Sequence, residues 1–389
     1  MTTAAYDVVV IGGGIHGAGV AQAAAAAGYS VLLLERRALG SETSSRSSKL
    51  IHGGLRYLES GQLGLVRESL REREILLRIA PGLVQRVAFY IPVYATTRRR
   101  PWMIRAGLAL YSLLGGLTRG TRFEALPRAQ WDDLDGLDTN QLRAIFRYDD
   151  AQTDDAALTQ AVMRSAQKLG AELHCPANFL TAKWLGDDYM VHALVNGEET
   201  ACRARTLVNA AGPWVNTVLE RVTPRPSVLP VDLIQGAHII LGGATRRGIY
   251  YVEAPSDRRA VFVMPWKGHT LVGTTETPYQ GDPGAAQARP EEISYLMETF
   301  QHYFPERRGP LLDSFAGLRV LPHGPGPVFH RSRETILHPD DPERVRLITI
   351  YGGKLTGYRA TAAKVMGLLK KSLPARVALA DTANVMLTP

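Results

Sequence analysis

A few residues into the chain, a β-branched run, Tyr6–Ile11 (YDVVVI), breaks into Gly12, Gly13 and Gly14, and no other junction constrains the fold as tightly. A run of this composition suits a buried parallel strand. Gly12, Gly14 and Gly17 fill the glycine positions of a GxGxxG loop. The first permits a tight turn, the second lets main chain approach a pyrophosphate, and the third packs helix on strand. An Ala-rich helix then runs to Gly28, and a second apolar strand (SVLLLE) ends in Glu35. The helix start, with Ile15 and His16 in it, offers unpaired N–H groups and a partial positive charge. Glu35 lies 18 residues beyond Gly17, where a carboxylate accepts hydrogen bonds from a ribose diol. An acid there disfavours a 2′-phosphate, so the expected ligand is FAD or NAD rather than NADP.

The segments that follow favour FAD. Residues 36–61 are dense in Ser, Thr and Gly, a poor strand and a poor helix. They read as an ordered loop whose hydroxyls and amides meet a ligand. Ala204–Val218 reads as a buried strand ending in Ala210, Ala211 and Gly212, small residues that leave room for a flat cofactor edge. Near the C-terminus a strand, Gly352–Gly353 and a helix recur, which predicts backbone N–H groups at a helix start facing the pyrimidine end of a flavin. Three such elements spread along the chain predict a cofactor domain that is discontinuous in sequence.

At 389 residues, two or three domains are expected at about 150 residues each. With 45% hydrophobic and 21% charged residues, the collagen-like, disordered and disulfide-scaffold classes are excluded. Cys175 and Cys202 read as reduced cysteines. The net charge of +8 comes from 37 Arg and 8 Lys against 37 Asp and Glu. Arg binds planar oxyanions bidentately, which fits phosphates or acidic lipid headgroups, although a GC-rich genome gives the same bias. The N-terminus lacks the features of a secretory signal. Scattered basic residues without a stacking motif do not support nucleic-acid binding. The His and Cys positions have no metal-ligand spacing, so no metal is expected.

Ser44–Glu59 (SSRSSKLIHGGLRYLE) and Gly352–Arg359 (GGKLTGYR) resemble the two signatures of FAD-dependent glycerol-3-phosphate dehydrogenases, in the D-amino-acid-oxidase-like superfamily. Tyr148–Ala156, Asn209–Trp214 and Leu271–Pro283 match in order and spacing, so the resemblance runs from about residue 5 to about 373. Two departures stand out. Gly357 occupies a position where the family usually has Thr, and the chain stops at Pro389 where members usually continue into a helical C-terminal domain.

The resemblance implies an α/β FAD-binding domain, Rossmann-like and of the glutathione-reductase type. With it comes an α+β substrate domain with a mostly antiparallel sheet. Short β-rich runs between Gln235 and Thr275 agree with such a sheet, and 289–305 reads as an amphipathic helix with Pro near its start. The expected division is 1–95, 149–228 and 330–389 for the FAD domain, and 96–148 and 229–329 for the cap.

The resemblance further implies oxidation of sn-glycerol 3-phosphate to dihydroxyacetone phosphate, with electrons passed to a quinone. An oxidase using oxygen, an enzyme of another 2-hydroxy or amino compound, and a flavin-binding membrane protein without turnover stay open, as does a homodimer. The implied cofactor set is Gly12, Gly14, Ile15, His16, Gly17, Glu35, Arg36, Ser44, Ser45, Ser48, Lys49, Leu50, Ile51, His52, Gly53, Phe179, Ala211, Gly212, Trp214, Gly352, Gly353, Lys354, Leu355 and Thr356. Neither cysteine falls in a flavin-facing motif, so the FAD is expected to be non-covalent. A phosphate anchor needs Arg or Lys donors, and Arg56, Tyr57, His238, Arg319, Arg333 and Lys354 are carried over for the substrate. His238, Arg319 and Lys354 are the catalytic candidates, His238 being the natural base and Arg319 its competitor.

Arg98–Arg122 holds a 16-residue apolar stretch, Trp102 to Leu117, interrupted by Arg105 and flanked by arginines. It is too short to span a membrane. It reads either as a helix in the headgroup plane, with Trp102 and Tyr111 at the interface, or as a buried cap helix. Family members are typically peripheral membrane enzymes, which implies a cytoplasmic protein lying on the inner face of the membrane.

Overall fold

Strand Ala5–Ile11 runs into helix Ile15–Ala26 and on into strand Val31–Leu34, as the glycine loop predicts. The structure, a computed structural model, describes residues 4–324 and 334–389. Ala5–Ile11 lies parallel between Val31–Leu34 and the second half of Glu198–Asn209. Glu172–His174 extends the parallel array on one side and Leu347–Tyr351 on the other. Val8, Val9 and Val10 are enclosed on both faces, which explains the unbroken apolar run. The first half of Glu198–Asn209 pairs antiparallel with Tyr189–Val195, which pairs with Ala177–Trp184. Strand Ile336–Pro339 closes the far edge, antiparallel to Leu347–Tyr351.

Helix Ile15–Ala26 is buried nearly all round. Its Ala18, Ala21, Ala24 and Ala25 are small enough for helices Asp155–Lys168 and Tyr358–Leu369 to pack against it. The first of these starts at Asp154, whose carboxylate accepts from Ala157 N at 3.1 Å. The second starts at Tyr358, after a loop, so Gly352 and Gly353 do not lie at a helix start as expected.

The second sheet has ten strands and covers the carboxyl ends of the parallel strands. Its pairings are antiparallel except that of Ile249–Glu253 with Val84–Tyr94. It takes in Leu50–Ile51, Val84–Tyr94 and Leu142–Thr153. The expected domain division is corrected accordingly. Residues 84–94 belong with the cap sheet, and the boundary at 149 falls inside a continuous strand. A chain break is invisible in composition when both sheets draw on the same β-rich residues. The amphipathic helix is present as Pro290–Tyr303.

Helix Pro101–Leu114 combines the two readings of its segment. Ile104, Leu108, Tyr111 and Ser112 are buried beneath it. Trp102, Leu113 and Leu117 point outward, exposed by 69%, 60% and 61%. Tyr111 is not at the interface. Its hydroxyl donates to Asp150 Oδ2 at 2.6 Å and accepts from Gly53 N at 2.9 Å. No helix among the described residues is long and apolar enough to cross a membrane.

Candidate active site

Between the two sheets lies a cavity of about 450 Å³, within the usual range of cofactor and small-molecule sites. Its first end is main chain. Gly12 adopts φ +107°, and a Cβ there would stand 2.6 Å from Ala210 O. A Cβ on Gly17 would stand 1.8 Å from Gly12 O, so Gly17 serves the close packing of helix on strand behind the cavity wall. Gly12, Gly14, Ile15 and His16 face the cavity. Ser44 Oγ accepts from Ile15 N at 2.9 Å, fixing the loop after the second strand to the helix start. Glu35 accepts from Gly13 N and Arg37 N, each at 2.7 Å. A carboxylate accepts about four hydrogen bonds, so Glu35 keeps capacity toward the cavity it lines. Arg36 stacks on Trp214, 3.7 Å from the ring centroid, beside Phe179, Ala211 and Gly212.

The middle is built by two loops that meet. Thr356 Oγ1 accepts from His52 N at 3.1 Å. Ser48, Leu50, His52 and Gly352 to Thr356 line the wall. Gly353 has φ +118°, and a Cβ there would stand 2.0 Å from His16 Nε2. His16 is pushed down to about 4 by burial, so its ring is neutral at neutral pH. Five of the expected cofactor residues do not reach the wall, Gly17 behind it among them. The Ser45 hydroxyl bonds its own loop at Ser41 O and Glu42 O. Ile51 is fully buried in the core. Gly53 packs against Tyr111. Lys49 turns inward to the fully buried Asp155, Nζ to Oδ1 at 2.7 Å, because a buried carboxylate needs a counter-ion.

The other end is cationic. Arg56, Tyr57, His238, Arg319 and Lys354 all line it; Arg333 lies outside the described residues. Lys354 Nζ sits 3.5 Å from the centroid of the Tyr57 ring. Arg319, on strand Leu311–Pro322, bonds Glu276 Oε1 at 3.2 Å and Thr274 Oγ1 at 3.3 Å. Burial, Arg56 and Arg259 push its guanidinium down to about 10. Glu276 also takes Arg259 Nη2 at 2.8 Å and stands 4.0 Å from Arg56 Nη2. Arg259, Thr274 and Glu276 escaped the residue-by-residue reading. The only signal was the matching segment Leu271–Pro283, which contains two of them.

His238 is 1% exposed. Its Nε2 lies 2.9 Å from Ser48 Oγ, and its ring stacks on Phe315 with centroids 5.0 Å apart. Burial, then Arg319 and Lys49, push it down to about 3. Neither Cys175 nor Cys202 lines the cavity.

The residues present fit a dinucleotide. A side chain at Gly12 would collide with main chain, the next two turns supply amides and a carboxylate, and stacked Arg36 and Trp214 close the end. Glu35, Arg36, Ser44, the Gly12–Gly14 loop and Gly352–Thr356 would hold it.

The family model for FAD dependent oxidoreductases, DAO, matches residues 7–363. A D-erythritol 1-phosphate dehydrogenase of Brucella abortus is 38% identical over 95% of this chain and 74% of its own length. A glycerol-3-phosphate dehydrogenase of Pseudomonas aeruginosa is 38% identical over 94% of this chain and 72% of its own. A glycerol-3-phosphate dehydrogenase from Bacillus halodurans, solved in complex with FAD, superposes with a TM-score of 0.74 at 27% identity, covering 98% of this chain and 67% of that one. Glycine cradle, acidic strand end and matching family model agree, and the chain belongs to the DAO family of FAD dependent oxidoreductases, with FAD as its cofactor.

Proposed function

We propose that this protein oxidises the secondary alcohol of a small polyol monophosphate, sn-glycerol 3-phosphate in the first instance, to the ketone, dihydroxyacetone phosphate. The observation that carries the reading is the convergence of Arg56, Arg319 and Lys354, backed by Arg259, at one end of a dinucleotide cavity. A phosphate dianion needs several charge-assisted donors in a partly desolvated pocket. Two relatives, each 38% identical to this chain, are both named for polyol phosphates. D-Erythritol 1-phosphate is the second reading, because the Brucella abortus relative is as identical as the other.

Bound FAD supplies the hydride acceptor. The chain's own residues anchor the phosphate and handle the hydroxyl proton. Arg319, at about 10, stays protonated at neutral pH, so it donates to substrate oxygens and does not act as base. His238 is neutral there and can accept the proton. When Ser48 donates to Nε2, that nitrogen is the basic one. An arriving phosphate dianion offsets the charge of Arg319, which raises the basicity of His238 toward its working range. Neither cysteine lines the cavity, so no thiol is placed there to tether the FAD.

Anaerobic bleaching of the flavin by glycerol 3-phosphate, set beside erythritol 1-phosphate, glycerol, lactate and a D-amino acid, tests the reading. Equal reduction by glycerol and glycerol 3-phosphate would sink the phosphate anchor.

The outward face of Pro101–Leu114, with Arg98, Arg100 and Arg105 around Trp102 and Leu113, fits the headgroup plane of an anionic membrane. That position gives access to a membrane quinone as electron acceptor. Each basic residue near such a surface contributes on the order of 1 kcal/mol at low salt. Flotation should therefore be stronger with anionic than with neutral vesicles and weaken with salt. Equal flotation with both would leave the face without a lipid role.

A further inference from the structure

Three guanidinium groups from three distant segments converge on one carboxylate. Arg259 approaches Glu276 with Nη2 at 2.8 Å from Oε2 and Nη1 at 3.3 Å from the main-chain oxygen. Arg319 Nη1 reaches Oε1 at 3.2 Å, and Arg56 Nη2 stands 4.0 Å from the same oxygen. Glu276 is 4% exposed, whereas Arg56 and Arg319 keep 24% each. Arg56, Arg319 and Thr274 line the cavity, and Glu276 and Arg259 stand behind them. The four charged groups carry a formal +2.

Three guanidinium groups so close repel one another, and a carboxylate among them holds them at fixed separations. The same carboxylate occupies N–H donors that a phosphate would otherwise take, and it subtracts a charge from the field that attracts a dianion. Holding substrate and product equally tightly lowers KM without raising kcat. A counter-ion that fixes the arginines and moderates their pull therefore serves turnover.

Resting on the polyol-phosphate reading, we propose that Glu276 is a positioning residue. Together with Arg259 behind them, it preorganises Arg56 and Arg319 as the phosphate site and limits how tightly that site holds a phosphate dianion.

The test uses the FAD-loaded protein and inorganic phosphate as probe, with Kd from titration calorimetry and kcat measured separately. Glu276→Gln keeps the shape and removes the charge. Phosphate should bind about tenfold tighter, the effect of one charge a few ångströms away under partial screening. In the same variant kcat should fall about tenfold as the arginines lose their fixed geometry. A residue that merely supports the fold would weaken phosphate, not tighten it. Unchanged or weaker phosphate binding in Glu276→Gln overturns the proposal.

Glu276→Asp keeps the charge with a shorter reach, and decides the matter if the Gln variant does not fold. Its phosphate affinity should stay within about twofold of the parent while kcat drops. Tightened phosphate binding in this variant overturns the charge argument. If the unaltered protein binds neither inorganic phosphate nor glycerol 3-phosphate, the polyol-phosphate reading itself fails, and this proposal with it.

Discussion

The two ends of the cavity both suit anions, and they are built from different material. At the dinucleotide end the donors are main-chain amides of a helix start, and the carboxylate at the strand end, Glu35, is tied to Gly13 N and Arg37 N. At the other end the donors are the side chains of Arg56, Arg319 and Lys354, with Arg259 and Glu276 behind. Main-chain donors depend on conformation, so the first end depends on glycines and is indifferent to most side chains. Side-chain donors depend on what packs around them, so the second end can be tuned by single substitutions. One end is fixed chemistry for a constant cofactor, and the other is adjustable chemistry for a substrate.

Gly17→Ala attacks the first end and should have the largest effect. A Cβ there stands 1.8 Å from Gly12 O, so the helix must move off the strand. The purified variant should carry little or no FAD, read as flavin absorbance per protein. Stoichiometric FAD would show that the cradle tolerates a side chain at its tightest helix–strand contact.

Arg319→Ala attacks the second end and should leave FAD content unchanged. Losing one charge-assisted donor of roughly 1.5–3 kcal/mol lowers kcat/KM about 10- to 150-fold. Arg319→Lys should fall between, recovering charge but not the fork. Parental kcat/KM in the Ala variant would remove Arg319 from the site.

Tyr111→Phe acts between the two ends. It leaves Asp150 and Gly53 N short of a partner, a loss of about 1–3 kcal/mol of stability. Gly53 leads into the turn that carries Arg56 and Tyr57. KM for the phosphate substrate should therefore rise a few-fold while FAD is retained. A lowered melting temperature with unchanged KM would make Tyr111 a fold residue only.

Acid separates the two buried imidazoles. Both His16 and His238 have pKa values depressed below the unfolded value near 6.5, so their neutral forms favour the native state. Stability is whole above about pH 6.5 and falls as pH drops toward 4, because the unfolded chain takes up the protons first. The slope is about 1.4 kcal/mol per pH unit for each imidazole, measurable by urea titration. His16 is depressed by burial, whereas Arg319 and Lys49 add to burial at His238. Arg319→Ala should therefore raise the titration of His238 by NMR and leave His16 where it is. A shift at both would mean that the two ends share one field.

The smallest effect is expected at Gly357, which precedes helix Tyr358–Leu369 without a side-chain cap. A Cβ there meets nothing within 4 Å. Gly357→Thr should change stability by no more than a few tenths of a kcal/mol, measured as Tm. A large loss would place this turn under constraints the geometry does not show.

Legibility in the sequence followed the same division. Gly12, Gly14, Gly17, Glu35 and the two loop signatures were readable because each acts within a few turns of chain. Lys49 misled, since its motif neighbours face the cavity while its own side chain is drawn to Asp155. Ile51 and Gly53 were misplaced for a related reason, as a motif identifies a loop but not which side of it faces inward. Tyr111 looked like an interfacial aromatic until Asp150 and Gly53 claimed its hydroxyl.

By itself, the sequence determined the strand–glycine–helix–strand unit, the acid at the strand end and hence the dinucleotide, because backbone conformation and short-range packing are set by neighbours in the chain. Only the tertiary structure decided that Arg56, Arg259 and Arg319 share one carboxylate, that Lys49 leaves the cavity, and that the cap sheet takes in Val84–Tyr94. The physical reason is that charge acts through space. An arginine's role depends on which distant groups folding brings within a few ångströms of it, and on how much water folding removes.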